Sequence, residues 1–600
     1  MPPAKFWGAW AAKTLTVRAA ELPRVAGAAL VAFALAANTC SGTALGAPPP
    51  PTSRPLAAGA TTPKTSPTVA AQGPSLVIEP ALETALTDNF NPFDTSSPLG
   101  QMGVPWFVYE PLLEYNELQV NQYYPWLAES WSISTSGETI TFDLRPSVKW
   151  ADGSRLTAAD VAYSFNLLKD NPDINDGIPL VSAIATNPTT FTLTLSKPGY
   201  SYLDNIARVP IVKSGYAMGA NPATYVDTSP DGTGPYMLAR RSEATPKRVT
   251  LTARAGYWQG APPAGQLVFP AYSSASAVAS ALQAGKLDWA AAYMPNVLTG
   301  YVDKSKADNH FWAPPVDCIT LELNLARYPF DVLDVRQAIS AALGRAALSL
   351  GSEGGQAPPA TSSSGLVLPT DKRYMLPAYR KDIDDKADLL AAFKLMQDAG
   401  FHLNAGGSWA SASGKVVSIS IQEAAGSPLS NVSSIVAKQL ATAGFHAAPE
   451  PVTTSQLSAN LSDGDFDGTV LESASGPTPY YMYENWLDPA LLADGRTADG
   501  GDYERFGPAT DPAGAAAVTA ALQQYVDNPS GSALAQAAVE ALATVVSKQL
   551  PVIPLMYGIA WAEFSTRHAS GWPNSQNPYE PAQPLPPFAE YTVLQLSPGT

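Results

Sequence analysis

YPWLAESWSISTSGETITFDLRPSVKWADGSRLTAADVAYSF, residues 124–165, is the stretch on which the fold reading turns. Within it Ile140, Phe142 and Leu144 alternate with Thr139, Thr141, Asp143 and Arg145, the period of two of a strand with one buried face. Asp152-Gly153 then signals a tight turn. Leu156 precedes Thr157, and Asp160 follows at the spacing of a capping box with an apolar staple residue in front. Val161, Phe165 and Leu168 fall on one face of the helix so started. Such a strand-turn-strand unit feeding a capped helix is at home in any α/β protein.

The wording of the segment says more than its periodicity. It resembles the signature region of the family 5 extracytoplasmic solute-binding proteins, the oligopeptide- and dipeptide-type receptors of ABC importers: LAESW at 127–131, then FDLRPSVKWADGSRLTAADV at 142–161. GTGPY at 232–236 and VTLTARAGYWQG at 249–260 match in the same order, with Gly256 a departure from the family's usual residue. So do ALQAGKLD at 281–288, and Leu323-Asn324 followed by Pro329-Phe330, Asp334 and VRQAI at 335–339. The resemblance implies an α/β, two-lobed periplasmic-binding-protein (Venus flytrap) fold of the large peptide-receptor type. In that fold the C-terminal tail completes the first lobe.

On that basis the chain divides into a signal segment at 1–47, a linker at 48–75, lobe I at 76–323, lobe II at 324–550 and a return to lobe I at 551–600. The crossings between lobes are expected near 321–326 and 549–555, where Pro551 and Pro554 interrupt an Ala-rich helical run. Length agrees, because 600 residues exceed what one hydrophobic core fills. With 46% hydrophobic and 15% charged residues the chain is globular in composition. A net charge of −16 argues against nucleic acid, whose phosphates need clustered Lys and Arg.

Lys5, Lys13, Arg18 and Arg24 precede an apolar run from Val25 to Ala37. As a helix that run spans about 20 Å, short of a bilayer core of about 30 Å, so it reads as a secretory signal. Cys40-Ser41-Gly42 follows, the placement of a lipid-modified bacterial cysteine; cleavage near Gly42 or Ala44 is the rival reading. The Pro-, Ala-, Thr- and Ser-rich stretch after it suits an extended tether. The protein is thus expected outside the cytoplasmic membrane, held there only by lipid on Cys40. The remaining cysteine, Cys318, sits in a strand-like run and is expected as a buried structural thiol.

Motifs for catalysis are scarce. The histidines 310, 402, 446 and 568 lack the close spacing of a zinc site. Asp463-Gly464-Asp465 begins like a calcium loop, but Ala474 stands where the bidentate Glu belongs, so a turn into the strand Thr469-Val470-Leu471 is expected. Gly414-Lys415 reads as a hairpin turn. Two echoes, AGFH at 399–402 and at 443–446, read as helix ends that each feed a strand of one mixed sheet, with both histidines at the surface. No metal, cofactor or catalytic residue is expected; a secreted hydrolase would need two paired acids, for which only scattered carboxylates such as Glu110, Glu114 and Glu129 offer themselves.

The resemblance implies a monomeric receptor that passes an oligopeptide or related small solute to the permease subunits of an ABC importer. In peptide-binding members an acid pairs with the peptide's amino group, in a segment ending in Pro shortly before aromatics. Aligned on Pro479, that acid is replaced by Ser475, and Glu472 and Ser473 stand nearby. A neutral hydroxyl makes no charge-assisted bond to an ammonium, so free peptides are expected to bind weakly. Trp106 and Tyr109 in the early cleft segment, with Tyr480, Tyr481, Tyr483 and Trp486 in the later one, would instead suit the faces of an oligosaccharide. FNPF at 90–93, GPTPYYMY at 476–483 and the tail Gly571-Trp572-Pro573 also resemble the family's cellobiose-type branch.

Overall fold

The computed structural model describes residues 73–474, 476–493, 496–497 and 501–599; the signal segment, Cys40 and all but the last residues of the linker lie outside them. In the opening stretch the alternation holds. Strand Thr139–Leu144 buries Ile140, Phe142 and Leu144, and helix Ala158–Asp170 starts from a capping box in which the Thr157 N–H donates to the Asp160 carboxylate at 3.0 Å. That strand sits in a four-stranded antiparallel sheet ordered 128–133, 139–144, 190–195, 180–187, with a core of its own under the helix.

Beside it the N-terminal strand Ser75–Glu79 lies in an eight-stranded sheet, pairing in parallel with Gln266–Pro270 on one side and with Trp289-Ala290 on the other. The tail strand Glu563–Ser565 inserts antiparallel between Trp289-Ala290 and Asn309–Phe311, so the C-terminal return completes the first lobe's sheet. The second lobe is built on a five-stranded mixed sheet ordered 446–452, 418–424, 468–472, 315–323, 552–559. Its edge strand, Val552–Ile559, is buried almost throughout because residues 358–360 cover it, which is how an edge tolerates Pro554.

These memberships move the crossings. The chain leaves the first lobe's sheet at Phe311 and enters the second's at Pro315, and it returns between Ile559 and Glu563. The expected crossing at 321–326 falls instead at the end of a long strand, and that at 549–555 falls on the helix end and the first half of Val552–Ile559. The lobe boundaries at 323/324 and 550/551 shift accordingly. The two strands pair with each other over most of their length, so both belong to one sheet and the chain can bend only where that pairing stops. The AGFH echoes need a second correction. Gly400 and Gly444 both cap their helices with positive φ, and both histidines are exposed, but His402-Leu403 forms a separate two-stranded hairpin with Trp409-Ala410. Only His446–Val452 joins the five-stranded sheet.

Family-type words are tied together by arginines that bond carbonyls. Arg254, from the VTLTARAGYWQG stretch, donates to Gly232 O and Gly234 O of GTGPY and to Lys149 O and Trp150 O of VKW, at 2.8–3.2 Å. A Cβ on Gly232 would lie 1.8 Å from Val108 O, so no other residue fits that close backbone approach. In the second lobe Arg336 reaches the carbonyls of Phe330, Gln549 and Leu550, and Arg345 that of Pro554.

Candidate functional site

Between the lobes the crossing segment forms the floor of a cleft. Glu117 faces it from the first lobe, Pro315 and Val316 from the crossing, and Thr370, Asp371, Ser473, Thr478 and Met482 from the second. Each second-lobe group is held by local bonds. Ser473 exchanges bonds with Cys318, its N–H donating at 2.9 Å and its hydroxyl accepting at 3.0 Å, which extends the pairing of strand Gly468–Glu472 by one residue. Asp371, on the 3-10 turn Thr370–Tyr374, accepts from the Val367 N–H at 2.9 Å. Thr478 shares a hydrogen bond of 2.8 Å with the hydroxyl of Tyr525.

The void is about 20 Å³, room for little more than a water, whereas solute pockets run to about 300 Å³ and above. Among the described residues no lysine or arginine lines the void, and Glu117 and Asp371 are the carboxyl groups on it. Burial pushes Asp371 and Glu353 up to about 7. Glu472 keeps a solvent-exposed edge, yet protein crowds its carboxyl, and that desolvation, followed by the charge of Glu353, raises it to about 7. Asp317 is raised well above the carboxylate range, by desolvation first and then by Glu472, Glu117 and Glu353. Desolvation of this kind favours the protonated carboxyl, and a cation placed beside it favours the ionised one.

Of the expected site residues, Ser473 lines this void, and Glu472 stands beside it at the end of its strand. Ser475 lies outside the described residues. The aromatic set is placed differently from the sequence expectation. Helix Tyr480–Leu487 turns Tyr480, Tyr483 and Trp486 into the second lobe's core, where Tyr480 stacks on Tyr525 at 4.3 Å. Tyr109 is buried in the first lobe with its hydroxyl on Asp227. None of these four rings offers a face to a solute, because helical and turn geometry aims them into the cores. Trp106 is half-buried and is absent from the lining, while Tyr481 alone of the later aromatics reaches toward the other lobe. Sequence reading missed Glu117, Asp317 and Asp371. Asp317 carried a signal, an acid inside the strand-like run VDCITLEL; the other two are joined to the cleft only by folding.

The model of the bacterial extracellular solute-binding proteins, family 5, matches residues 122–491. The chain is 28% identical over 345 residues to the dipeptide-binding protein of Escherichia coli K12, which covers 52% of this chain and 61% of that protein. A periplasmic oligopeptide-binding protein of an oligopeptide ABC transporter from Thermotoga maritima superposes with a TM-score of 0.76 at 21% identity, covering 88% of this chain and 99% of the other. The mannohexaose-bound form from the same organism gives 0.70 at 21% identity and the same coverage. Those two likenesses establish the two-lobed α/β binding-protein fold.

Proposed function

The chain belongs to the bacterial extracellular solute-binding proteins of family 5, and from that membership we propose that it is the extracytoplasmic receptor of an ABC importer, taking an amine-bearing solute of the oligopeptide class. The family consists of solute-binding receptors, and the reading involves no reaction: solute closes the lobes and the closed form presents it to permease subunits. One observation carries the choice of solute: Glu117 from the first lobe and Asp371 from the second line the cleft, Asp317 and Glu472 stand close by, and its described lining holds no lysine or arginine. An ammonium entering there lets Glu472 and Asp371 ionise, and contacts made to both lobes at once exist only in the closed state, which is what shifts the population. The dipeptide-binding relative supports this solute class.

An oligosaccharide is the second reading, favoured by the mannohexaose-bound neighbour and by Ser475. Thermal shift separates the two, since a bound solute raises stability by mass action. Free di- to pentapeptides should raise the melting temperature and their N-acetylated forms should not. Because Glu472 and Asp371 titrate near 7, peptide affinity should rise from pH 5 to pH 8 as protons no longer compete. A shift with β-linked glucans or manno-oligosaccharides and none with free peptides decides for the sugar. A solute recovered chemically altered would overturn the receptor reading itself.

We also assign Cys40 as the membrane anchor, on the basic segment, the short apolar run and the Cys-Ser-Gly that follows. No helix among the described residues is long and apolar enough to cross a membrane. Cys40→Ser should move the protein from the detergent phase to the soluble extracellular fraction; partitioning unchanged by that substitution would rule the anchor out.

A further inference from the structure

One face of the first lobe's eight-stranded sheet carries a groove of about 230 Å³ that shares no residue with the lining of the cleft. Strand parity creates it. Val249 and Leu251 of strand Arg248–Ala253 enter the first lobe's core, as do Leu267 and Phe269 of Gln266–Pro270, so Arg248, Thr250, Gln266 and Val268 stand on the opposite face. Thr250 lies in register with Val268, which puts an apolar spot among polar groups.

A tight hairpin forms the rim. Arg241–Glu243 is a 3-10 turn, and Ala244-Thr245 then pairs antiparallel with Arg248-Val249. The Thr245 hydroxyl donates to Arg248 O at 2.9 Å and accepts from the Arg248 N–H at 3.2 Å, a clamp that sets Glu243 and Arg248 on the same groove. Their charges are opposite, yet among the described residues they pair neither with each other nor with any other ion. One carboxylate oxygen of Glu243 is shielded from solvent without a hydrogen-bond partner. Arg241, two residues earlier, does not neutralise it, because its guanidinium is spent on Asp88 at 2.6 Å.

Opposite charges held apart in one concave place are complementary to a solute that carries both. A guanidinium fork takes a carboxylate through two parallel bonds, and a carboxylate takes an ammonium. The Gln266 amide oxygen already accepts from Ser75 Oγ at 3.2 Å, which leaves its NH2 group for the solute, and Val268 offers contact to a short side chain. The volume lies below the roughly 300 Å³ at which pockets for larger ligands begin, so it suits one residue-sized unit and not a chain.

We propose that this groove is a second solute site, a seat for a free α-amino acid, with Arg248 on its carboxylate and Glu243 on its ammonium. It is independent of the solute that the cleft takes. A neutral sugar would use neither charge, and a simple anion would leave Glu243 unpaired.

Saturation-transfer magnetic resonance on the purified protein, with L-alanine as the probe, tests this. L-alanine should receive saturation, while L-alanine amide, which lacks the carboxylate, and N-acetyl-L-alanine, which lacks the ammonium, should each bind at least about tenfold more weakly. These arms use the unaltered protein, so a folding defect cannot imitate them. Arg248→Met and Glu243→Gln, both at the rim, should each weaken L-alanine by about tenfold, and Asp371→Asn and Glu472→Gln in the cleft should leave it unchanged. Absence of transfer to L-alanine, equal transfer to all three probes, or binding lost with the cleft variants and kept in Arg248→Met would each overturn the site.

Discussion

At the scale of single residues, the buried arginines show how family-type words become structure. Arg254 is 7% exposed and, among the described residues, has no carboxylate within ion-pair distance; its guanidinium is spent on four carbonyls from two distant stretches. A rigid fork with five donors can do this, and a lysine ammonium cannot. Arg254→Lys should therefore recover little of what Arg254→Met loses, and the latter should cost about 3 kcal/mol, since buried carbonyls left without donors bear their full desolvation penalty. Urea unfolding of the three proteins measures it; a lysine variant as stable as the parent would mean that charge, not fork geometry, is what the site uses. The bonds themselves were not legible beforehand. The sequence shows GTGPY, VKW and TARAGYW as separate words, and only folding shows one side chain joining all three.

Elements divide into those whose local signals were sufficient and those that were not. The capped helix Ala158–Asp170 and the strand before it form as their periodicities demand, because a capping box and an alternating face need no distant partner. The two AGFH ends show the limit. Both glycines cap their helices, a local event, yet only the second strand pairs into the main sheet. The first stops after two residues and turns back at 404–408, so it has no length with which to reach the sheet. Helix Tyr480–Leu487 makes the same point for the site. Its aromatics read as a binding surface in sequence, and its helical phase sends three of them to the core and Tyr481 to the other lobe.

On the scale of the whole molecule the carboxyl groups predict how stability responds to pH. Glu79 and Glu563 lie on strands that flank Trp289-Ala290, each in register with Ala290, so they share one face of the first lobe's sheet. Glu563 accepts from the Ala292 N–H at 3.0 Å, and among the described residues no cation pairs with either. Tyr272 and Tyr301 are their titratable neighbours. Burial pushes both acids up to about 8. In the unfolded chain a glutamate titrates near ~4.3, so between about 4.3 and 8 the folded protein holds protons that the unfolded chain has released. Stability from this pair is full below that window and declines as pH rises through it, by up to about 1.4 kcal/mol per pH unit for each group. The melting temperature should fall from pH 5 to pH 8, and Glu79→Gln with Glu563→Gln should flatten the fall. A profile just as steep in the double variant would place the titration elsewhere.

By itself the sequence determined the family, the α/β class, the capped helix and the glycine caps, all carried by short words or local periodicity; that the tail completes the first lobe was implied only by the family resemblance. Tertiary structure alone decided where the chain crosses between lobes, because a strand's sheet depends on its partners: Pro315–Leu323 and Val552–Ile559 pair with each other and so belong wholly to the second lobe. It also decided the character of the cleft. Glu117, Asp317, Asp371 and Glu472 are scattered over more than 350 positions of the chain. Brought to one desolvated place between two lobes, Asp317, Asp371 and Glu472 are raised out of the ordinary carboxylate range, and only the fold creates that environment.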